Sequence, residues 1–111
     1  GVYQVTTATG LETIRNLVQQ AIGLGASDLH LHSGYAPTIR VSGNLVAVGE
    51  NKLEDAALRA QLLPFLSQSE LEKFQQHSDV DFVIDLPELA RLRSSMFIGH
   101  LGVNASFRIL P

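Results

Sequence analysis

The sequence predicts an α+β domain in which helices pack on an antiparallel sheet of about five to six strands. Apolar residues recur with helical spacing in some segments and alternate with polar residues in others. The predicted strands follow one another mostly through short turns, as in hairpins. The helices are grouped between the strands instead of alternating with them, which argues against a parallel sheet of the Rossmann type.

The first helix is predicted over residues 10–24, where apolar side chains follow helical spacing. Residues 9–12 have the pattern of a capping box, and Gly23 and Gly25 can end the helix. A short strand is predicted before the helix, over residues 2–5. The apolar side chains of the helix are Leu11, Ile14, Leu17, Val18, Ala21 and Ile22.

Three strands are predicted after this helix. Residues 28–33 alternate between polar and apolar side chains, which indicates a half-buried strand whose polar face carries Asp28, His30 and His32. Residues 38–42 form the next strand, and a tight turn at residues 43–44 leads into a third strand over residues 45–48. The inward-facing side chains of the first two strands are Leu29, Leu31, Ile39 and Val41.

Two helices are predicted in the middle of the chain. The first begins near Leu53 and is ended or kinked by Pro64, which cannot donate a backbone hydrogen bond. The second spans about residues 69–77 and buries two side chains, Leu71 and Phe74. Its N-cap is Ser67 or Ser69, because each is followed three residues later by a glutamate.

The last part of the chain predicts three further strands. A strand over residues 80–85 and a turn over residues 86–89 lead into a hairpin that turns at residues 99–102. Arg91 and Arg93 share one face of the first hairpin strand, because side chains alternate with a period of two. Arg108, near the end of the second strand, returns close to Arg93. The hairpin therefore presents three guanidiniums to solvent or to an anion.

Bulk composition excludes several classes of function. The net charge of −3 gives no overall basic field, so we expect no nucleic acid partner. The chain has no cysteine, which excludes disulfides and thiolate chemistry and fits a reducing cytosol. No phosphate-binding glycine loop and no nucleophile elbow are present, so no catalytic residue is expected in this chain alone.

The residues leave two interpretations of the arginines Arg40, Arg91, Arg93 and Arg108. They could form exposed ion pairs with Asp81 or Asp85, each worth at most about 1 kcal/mol. They could also contact an anion, since the planar guanidinium suits phosphate. The His-x-His pattern of His30 and His32 with Asp28 occurs in metal sites, but no fourth ligand is visible and no metal is expected.

Five segments resemble conserved motifs of secretion ATPases of the PilT and GspE type. Residues 25–31 (Gly-Ala-Ser-Asp-Leu-His-Leu) are similar to the family's Ala-Ser-Asp-Leu/Ile-His segment, and residues 37–43 to its Pro-x-Ile-Arg-x-Asp-Gly segment. Residues 81–85 resemble its Asp-Phe-Ser strand. Residues 91–97 resemble Arg-Phe-Arg-Val-Asn-Ala-Phe, and residues 107–111 resemble Phe-Arg-x-Ile-Pro. The order and spacing agree across nearly the whole chain.

The resemblance implies that residues 1–111 are a single PAS-like N-terminal domain, and that a RecA-like ATPase domain would follow after residue 111. It implies an intact protein that hydrolyses ATP with Mg²⁺ as a homo-hexamer, in the bacterial cytoplasm at the inner membrane. The chain resembles pilus retraction ATPases most, which implies action on a membrane platform protein in type IV pilus retraction and twitching motility. This chain alone lacks a Walker A sequence, and no cofactor is expected to bind it.

The resemblance also implies roles for individual residues. Arg93 and Arg108 match the two family arginines that approach the terminal phosphate of the nucleotide when the domains close. The remaining matched residues are implied to have structural or interface roles, and they are Asp28, His30, Arg40 and Arg91.

Three departures from the family pattern favour related functions as alternatives. Ser42 stands where the family has aspartate, Ser94 and Ser95 replace Val-Asn, and Leu101 interrupts a turn of small residues. They favour a paralogue, or the N-terminal domain of a pilus-assembly or type II secretion ATPase. A further alternative is a stand-alone PAS-type domain that senses a small molecule or binds a protein.

Overall fold

In a computed structural model, residues 10–110 of the chain are described and form three α-helices, one short 3₁₀ helix and six strands. The predicted strand over residues 2–5 and the N-cap of the predicted capping box lie outside the described residues. The elements are α1 (Gly10–Gly23), β1 (Asp28–His32), β2 (Thr38–Val41), β3 (Asn44–Ala47), α2 (Asp55–Leu62), a 3₁₀ helix (Leu63–Phe65), α3 (Gln68–His77), β4 (Asp79–Leu86), β5 (Ala90–Gly99) and β6 (Gly102–Leu110).

The six strands form one antiparallel sheet in the order β3-β2-β1-β6-β5-β4. Its centre is the pairing of β1 with β6, which joins the first and last strands of the described chain. The helices lie between these strands in sequence and do not alternate with them. The predicted α+β class is therefore confirmed.

One face of the sheet is apolar and covered by the helices. Buried side chains from α1, α2 and α3 belong to the same hydrophobic cluster as those of the strands. Alternation along each strand explains this, since β4 buries every second residue. The buried apolar residues that β1, β2, β4, β5 and β6 contribute are Leu29, Leu31, Ile39, Val80, Phe82, Ile84, Leu86, Leu92, Met96, Val103, Ala105 and Phe107. No helix within residues 10–110 is both long and apolar enough to span a membrane.

The predicted start of α2 near Leu53 is wrong by two residues. Leu53 lies in an isolated parallel bridge with Ser33, and its backbone N–H donates to the Tyr35 carbonyl at 2.9 Å. Because its backbone is used in this pairing, the helix begins only at Asp55. Pro64 lies in the 3₁₀ helix directly after α2, which confirms that it ends the α-helical hydrogen bonding.

The hairpin of β2 and β3 is confirmed, but its turn is one residue earlier than predicted. Ser42 and Gly43 occupy the turn with φ values of 50° and 82°. Asn44 already pairs with Val41 as the first residue of β3. Positive φ at both central residues is the requirement of the hairpin turn whose twist matches its strands.

The start of α3 resolves the choice between two predicted N-caps. The Ser67 hydroxyl accepts from the Glu70 backbone N–H at 3.1 Å, and the Glu70 carboxylate accepts from the Ser67 N–H at 2.9 Å. This capping box starts the helix at Gln68. Phe74 is buried as predicted, whereas Leu71 is only half-buried. In α1, Ile22 lies off the buried face and is 39% exposed.

Candidate functional site

A row of charged side chains crosses the polar face of the sheet, on the side away from the helices. Asp28 of β1 is the direct Cα partner of Arg40 in β2 and of Arg108 in β6. Arg108 in turn pairs with Arg93 of β5. Directly paired residues project to the same face, with neighbouring strands about 4.8 Å apart. We name this set the arginine row, and it consists of Arg40, Asp28, Arg108 and Arg93.

The register confirms that Arg93 and Arg108 lie side by side, as the closing hairpin predicts. Both side chains are exposed. The sequence gives no local signal that Arg40 and Asp28 extend the same row, because this depends on how β1 pairs with β2 and β6. Leu45 of β3 and Val83 of β4 end the row on either side.

Arg108 is held by Asp28, whereas Arg93 has no such partner. The Arg108 Nε donates to Asp28 Oδ1 at 3.4 Å. The other oxygen of Asp28, Oδ2, accepts from the Ser27 hydroxyl at 2.6 Å. Among residues 14–110, no carboxylate lies within 4.0 Å of the Arg93 guanidinium. Arg93 is therefore the arginine of the pair whose charge is uncompensated by a direct contact.

Asp28 is ionised under ordinary conditions because of these contacts. Partial burial raises the pKa of its carboxyl, but the Ser27 hydroxyl and the Arg108 guanidinium together outweigh that effect. The pKa of Asp28 is therefore held below its ordinary value of 3.8.

The other two predicted arginines have different surroundings. Arg40 Nη1 donates to the Gly43 carbonyl at 2.9 Å, which ties its guanidinium to the β2–β3 turn. Arg91 lies outside the row, opposite Leu110, and its Nη2 is 4.0 Å from an Asp85 carboxylate oxygen. The predicted ion pair with Asp85 is thus present for Arg91, and none is formed with Asp81 within the described part of the chain.

His30 and His32 extend the polar face beside the row. His30 Nδ1 lies 3.2 Å from the Ser106 hydroxyl, and the two imidazoles meet edge to face with centroids 5.7 Å apart. Burial lowers the pKa of both, although the Asp28 carboxylate partly opposes this for His30. Among the side chains of residues 14–110, no three of the types His, Cys, Asp and Glu are placed to hold a metal ion.

The arrangement is suited to binding an anion at an open surface. Arg93, Arg108 and Asp28 line a shallow depression of about 660 Å³. Ser95, Ser106 and two further carboxylates, Asp81 and Glu70 of α3, also line it. Guanidinium and hydroxyl donors favour phosphate oxygens. The row carries three guanidiniums and one carboxylate, and no nucleophile with an adjacent base lies among its four members. The row can therefore hold or sense charge.

Comparison with known proteins shows relatives both in sequence and in structure. No family model matches the chain. It is 33% identical over 87 residues to the type IV pilus retraction ATPase PilT of Pseudomonas aeruginosa, which covers 78% of this chain. A crystal structure of the pilus retraction motor PilT with bound ADP superposes with a TM-score of 0.80 and 27% identity, over 88% of this chain. The Legionella pneumophila ATPase DotB gives a TM-score of 0.78 at 20% identity over 96% of this chain, and so shares the fold.

The chain spans about a quarter to a third of the length of these relatives. It covers 25% of the curated PilT sequence, 29% of the PilT crystal chain and 30% of the DotB chain. The chain thus corresponds to one part of a longer type of protein.

Proposed function

Since the chain has the sequence pattern and the fold of the N-terminal domain of a PilT/GspE-type ATPase, we propose that it supplies Arg93 and Arg108 to a nucleotide. The nucleotide would be held by a RecA-like ATPase domain of the intact protein. The two arginines would contact its terminal phosphate when the domains close. There they would offset the negative charge that develops on the transferred phosphoryl oxygens.

The observation that carries this proposal is the direct pairing of Arg93 with Arg108 on an exposed face. Two adjacent guanidiniums repel one another, so the pair costs free energy unless an anion compensates it. Asp28 compensates one of the two charges at 3.4 Å, and Arg93 remains without a carboxylate partner among the described residues. A doubly or triply charged phosphate between the domains would supply the missing negative charge.

The second part of the proposal concerns movement. The domain would pack on the ATPase core of a neighbouring subunit in a homo-hexamer, at the cytoplasmic side of the inner membrane. Closure of the arginines on the phosphate, and release after hydrolysis, would rotate the domains and move a platform protein that retracts type IV pili. Mg²⁺ would be bound together with ATP by the ATPase domain of the intact protein.

The test replaces each arginine in the intact protein and measures ATP turnover. We expect Arg93→Ala and Arg108→Ala to lower kcat by about 100-fold or more, the scale found for removing one preorganised charge-stabilising donor. Arg91→Ala is the matched control, because Arg91 lies on the same face but pairs with Asp85 outside the arginine row. Turnover that is equal in all three variants and the wild type would refute the proposed role of the arginines.

A further inference from the structure

The two arginines that face the proposed phosphate are anchored to different degrees. The Asp28 side chain is only 14% exposed, whereas the Arg108 side chain that it binds is 66% exposed. The anchor is thus a mostly buried group and the guanidinium is a mostly free one. Arg93 has no equivalent anchor among residues 14–110, whose side chains the structure describes.

The orientation of the Asp28 carboxylate is fixed by a second contact, separate from the one with Arg108. Its Oδ2 accepts the Ser27 hydroxyl at 2.6 Å, so its Oδ1 faces Arg108 in a defined orientation. Asp28 also lies on a central strand, directly between its Cα partners Arg40 and Arg108 on the two neighbouring strands. A carboxylate that is oriented by Ser27 on a central strand can set the direction of a flexible arginine.

The Arg108 nitrogen that contacts Asp28 determines whether Arg108 can bind phosphate at the same time. The contact goes through Nε, at the inner edge of the guanidinium. Both terminal nitrogens, Nη1 and Nη2, remain available, and they form the outer edge with which arginine binds phosphate oxygens. If a carboxylate took the two Nη groups it would compete with phosphate, whereas a contact at Nε leaves them free and limits the rotamers of the side chain.

We propose that Asp28, fixed by Ser27, is a positioning residue that directs Arg108 toward the phosphate, while Arg93 acts as an unanchored charge. This inference rests on the proposed function, since it assigns a division of labour within the same site. Asp28 should favour the binding of phosphate, because a preorganised arginine loses less side-chain entropy when it binds. Asp28 repels the same phosphate through its charge, so the two effects have opposite signs and can be separated.

The experiment measures kcat and KM for ATP in the intact protein with Asp28→Asn, Asp28→Ala and Ser27→Ala. We expect Asp28→Ala to lower kcat/KM by about 10-fold, since small displacements of a catalytic group have effects of this order and larger. Ser27→Ala should lower it by a smaller factor, because the carboxylate stays. Asp79→Asn is the matched control: it removes one negative charge from β4 outside this depression, and it should leave kcat/KM unchanged.

A double-mutant cycle separates positioning from general damage to the fold. In the Arg108→Ala background, we expect Asp28→Ala to have no further effect, because there is no guanidinium left to direct. Thermal unfolding of each variant reports on folding, and Asp28→Asn keeps the side-chain volume if Asp28→Ala unfolds. Raised or unchanged kcat/KM in both Asp28 variants, or full additivity in the cycle, overturns this inference while the proposed function stands. Unchanged turnover in Arg108→Ala overturns both.

Discussion

The two faces of the sheet are built by the same strands and differ in almost every physical property. The face toward the helices is continuous and apolar, with side chains such as Phe107 at 1% exposure. The face away from them carries the arginine row and two histidines, and its side chains are exposed or half-buried. Because side chains alternate along a strand, each strand contributes to both faces through neighbouring residues.

This difference separates stability from function at the level of single residues. A substitution on the covered face removes packing that holds the three helices to the sheet. A substitution of an exposed side chain on the open face changes charge at a surface that water already solvates, so its effect on folding is small. Neighbours in sequence should therefore give opposite phenotypes.

The largest effect is expected for Phe107, next to Arg108. Phe107→Ala should lower the free energy of unfolding by about 4 kcal/mol, because it opens a cavity between the central strands and the helices. Arg108→Ala should lower it by less than about 1 kcal/mol, because only one exposed ion pair is lost. Urea unfolding followed by circular dichroism measures both. Equal losses of unfolding free energy in the two variants would contradict the assignment of stability to the covered face and function to the open face.

Ser94 and Ser95 make the same comparison with identical side chains. Ser94 is 4% exposed, and its hydroxyl donates to the Leu92 carbonyl at 3.3 Å on the covered face. Ser94→Asn should cost about 3 kcal/mol, since a larger amide would be buried without partners. Ser95→Asn, on the open face, should change the free energy of unfolding by less than about 0.5 kcal/mol. A tolerated Ser94→Asn would mean that the core has room near β5.

Much of the fold follows from the sequence because its signals are local. The alternation in β1, the spacing in α1 and the capping box at Ser67 each lie within a few residues. The predicted start of α2 and the predicted β2–β3 turn were wrong for reasons that the local pattern does not contain. Leu53 leaves α2 because it pairs with the loop after β1, and the Ser42–Gly43 turn depends on φ values that the letters do not specify.

The sequence identifies only two of the four residues of the arginine row as neighbours. Alternation and the resemblance together indicate Arg93 and Arg108, since both lie in one hairpin. The contact of Arg108 with Asp28 joins residues 80 positions apart, and Arg40 enters the row from the other side of β1. Such a row depends on the register of non-neighbouring strands, which periodicity within a strand does not encode.

A polar contact between helix α2 and strand β6 lies next to Gly102. Asp55 of α2 accepts the Val103 N–H at 2.8 Å, and a Cβ at Gly102, whose φ is +132°, would lie 2.6 Å from the Asp55 Cβ. Gly102→Ala should therefore cost about 2 kcal/mol through backbone strain and this clash. Gly43→Ala is the control, with φ of +82° and open space around the added carbon, and should cost about 1 kcal/mol. Equal losses would leave strain alone as the cause.

The smallest effect on stability is expected for His30 and His32, whose side chains are partly buried although they lie on the open face. The Nε2 atoms of His30 and His32 are buried and have no hydrogen-bond partner among the described residues. Burial lowers the pKa of both imidazoles below 6.5. For His30 the facing Asp28 raises the pKa and Arg40 lowers it, and for His32 the neighbouring His30 lowers it further.

The sign of the pH effect follows from which state binds more protons. With folded pKa values below the unfolded value of 6.5, the unfolded chain binds more protons as the pH falls through that range. Stability from these imidazoles is therefore present above pH 6.5 and decreases as the pH falls toward their folded pKa values. Urea unfolding between pH 7.5 and 5.5 (roughly the range in which histidine titrates) should show a decrease that is shallower in His30→Gln and His32→Gln. His100→Gln removes an exposed imidazole in the β5–β6 turn and serves as the control. A slope that both substitutions leave unchanged would mean that the polar face is solvated throughout, and the contrast between the two faces would then be complete.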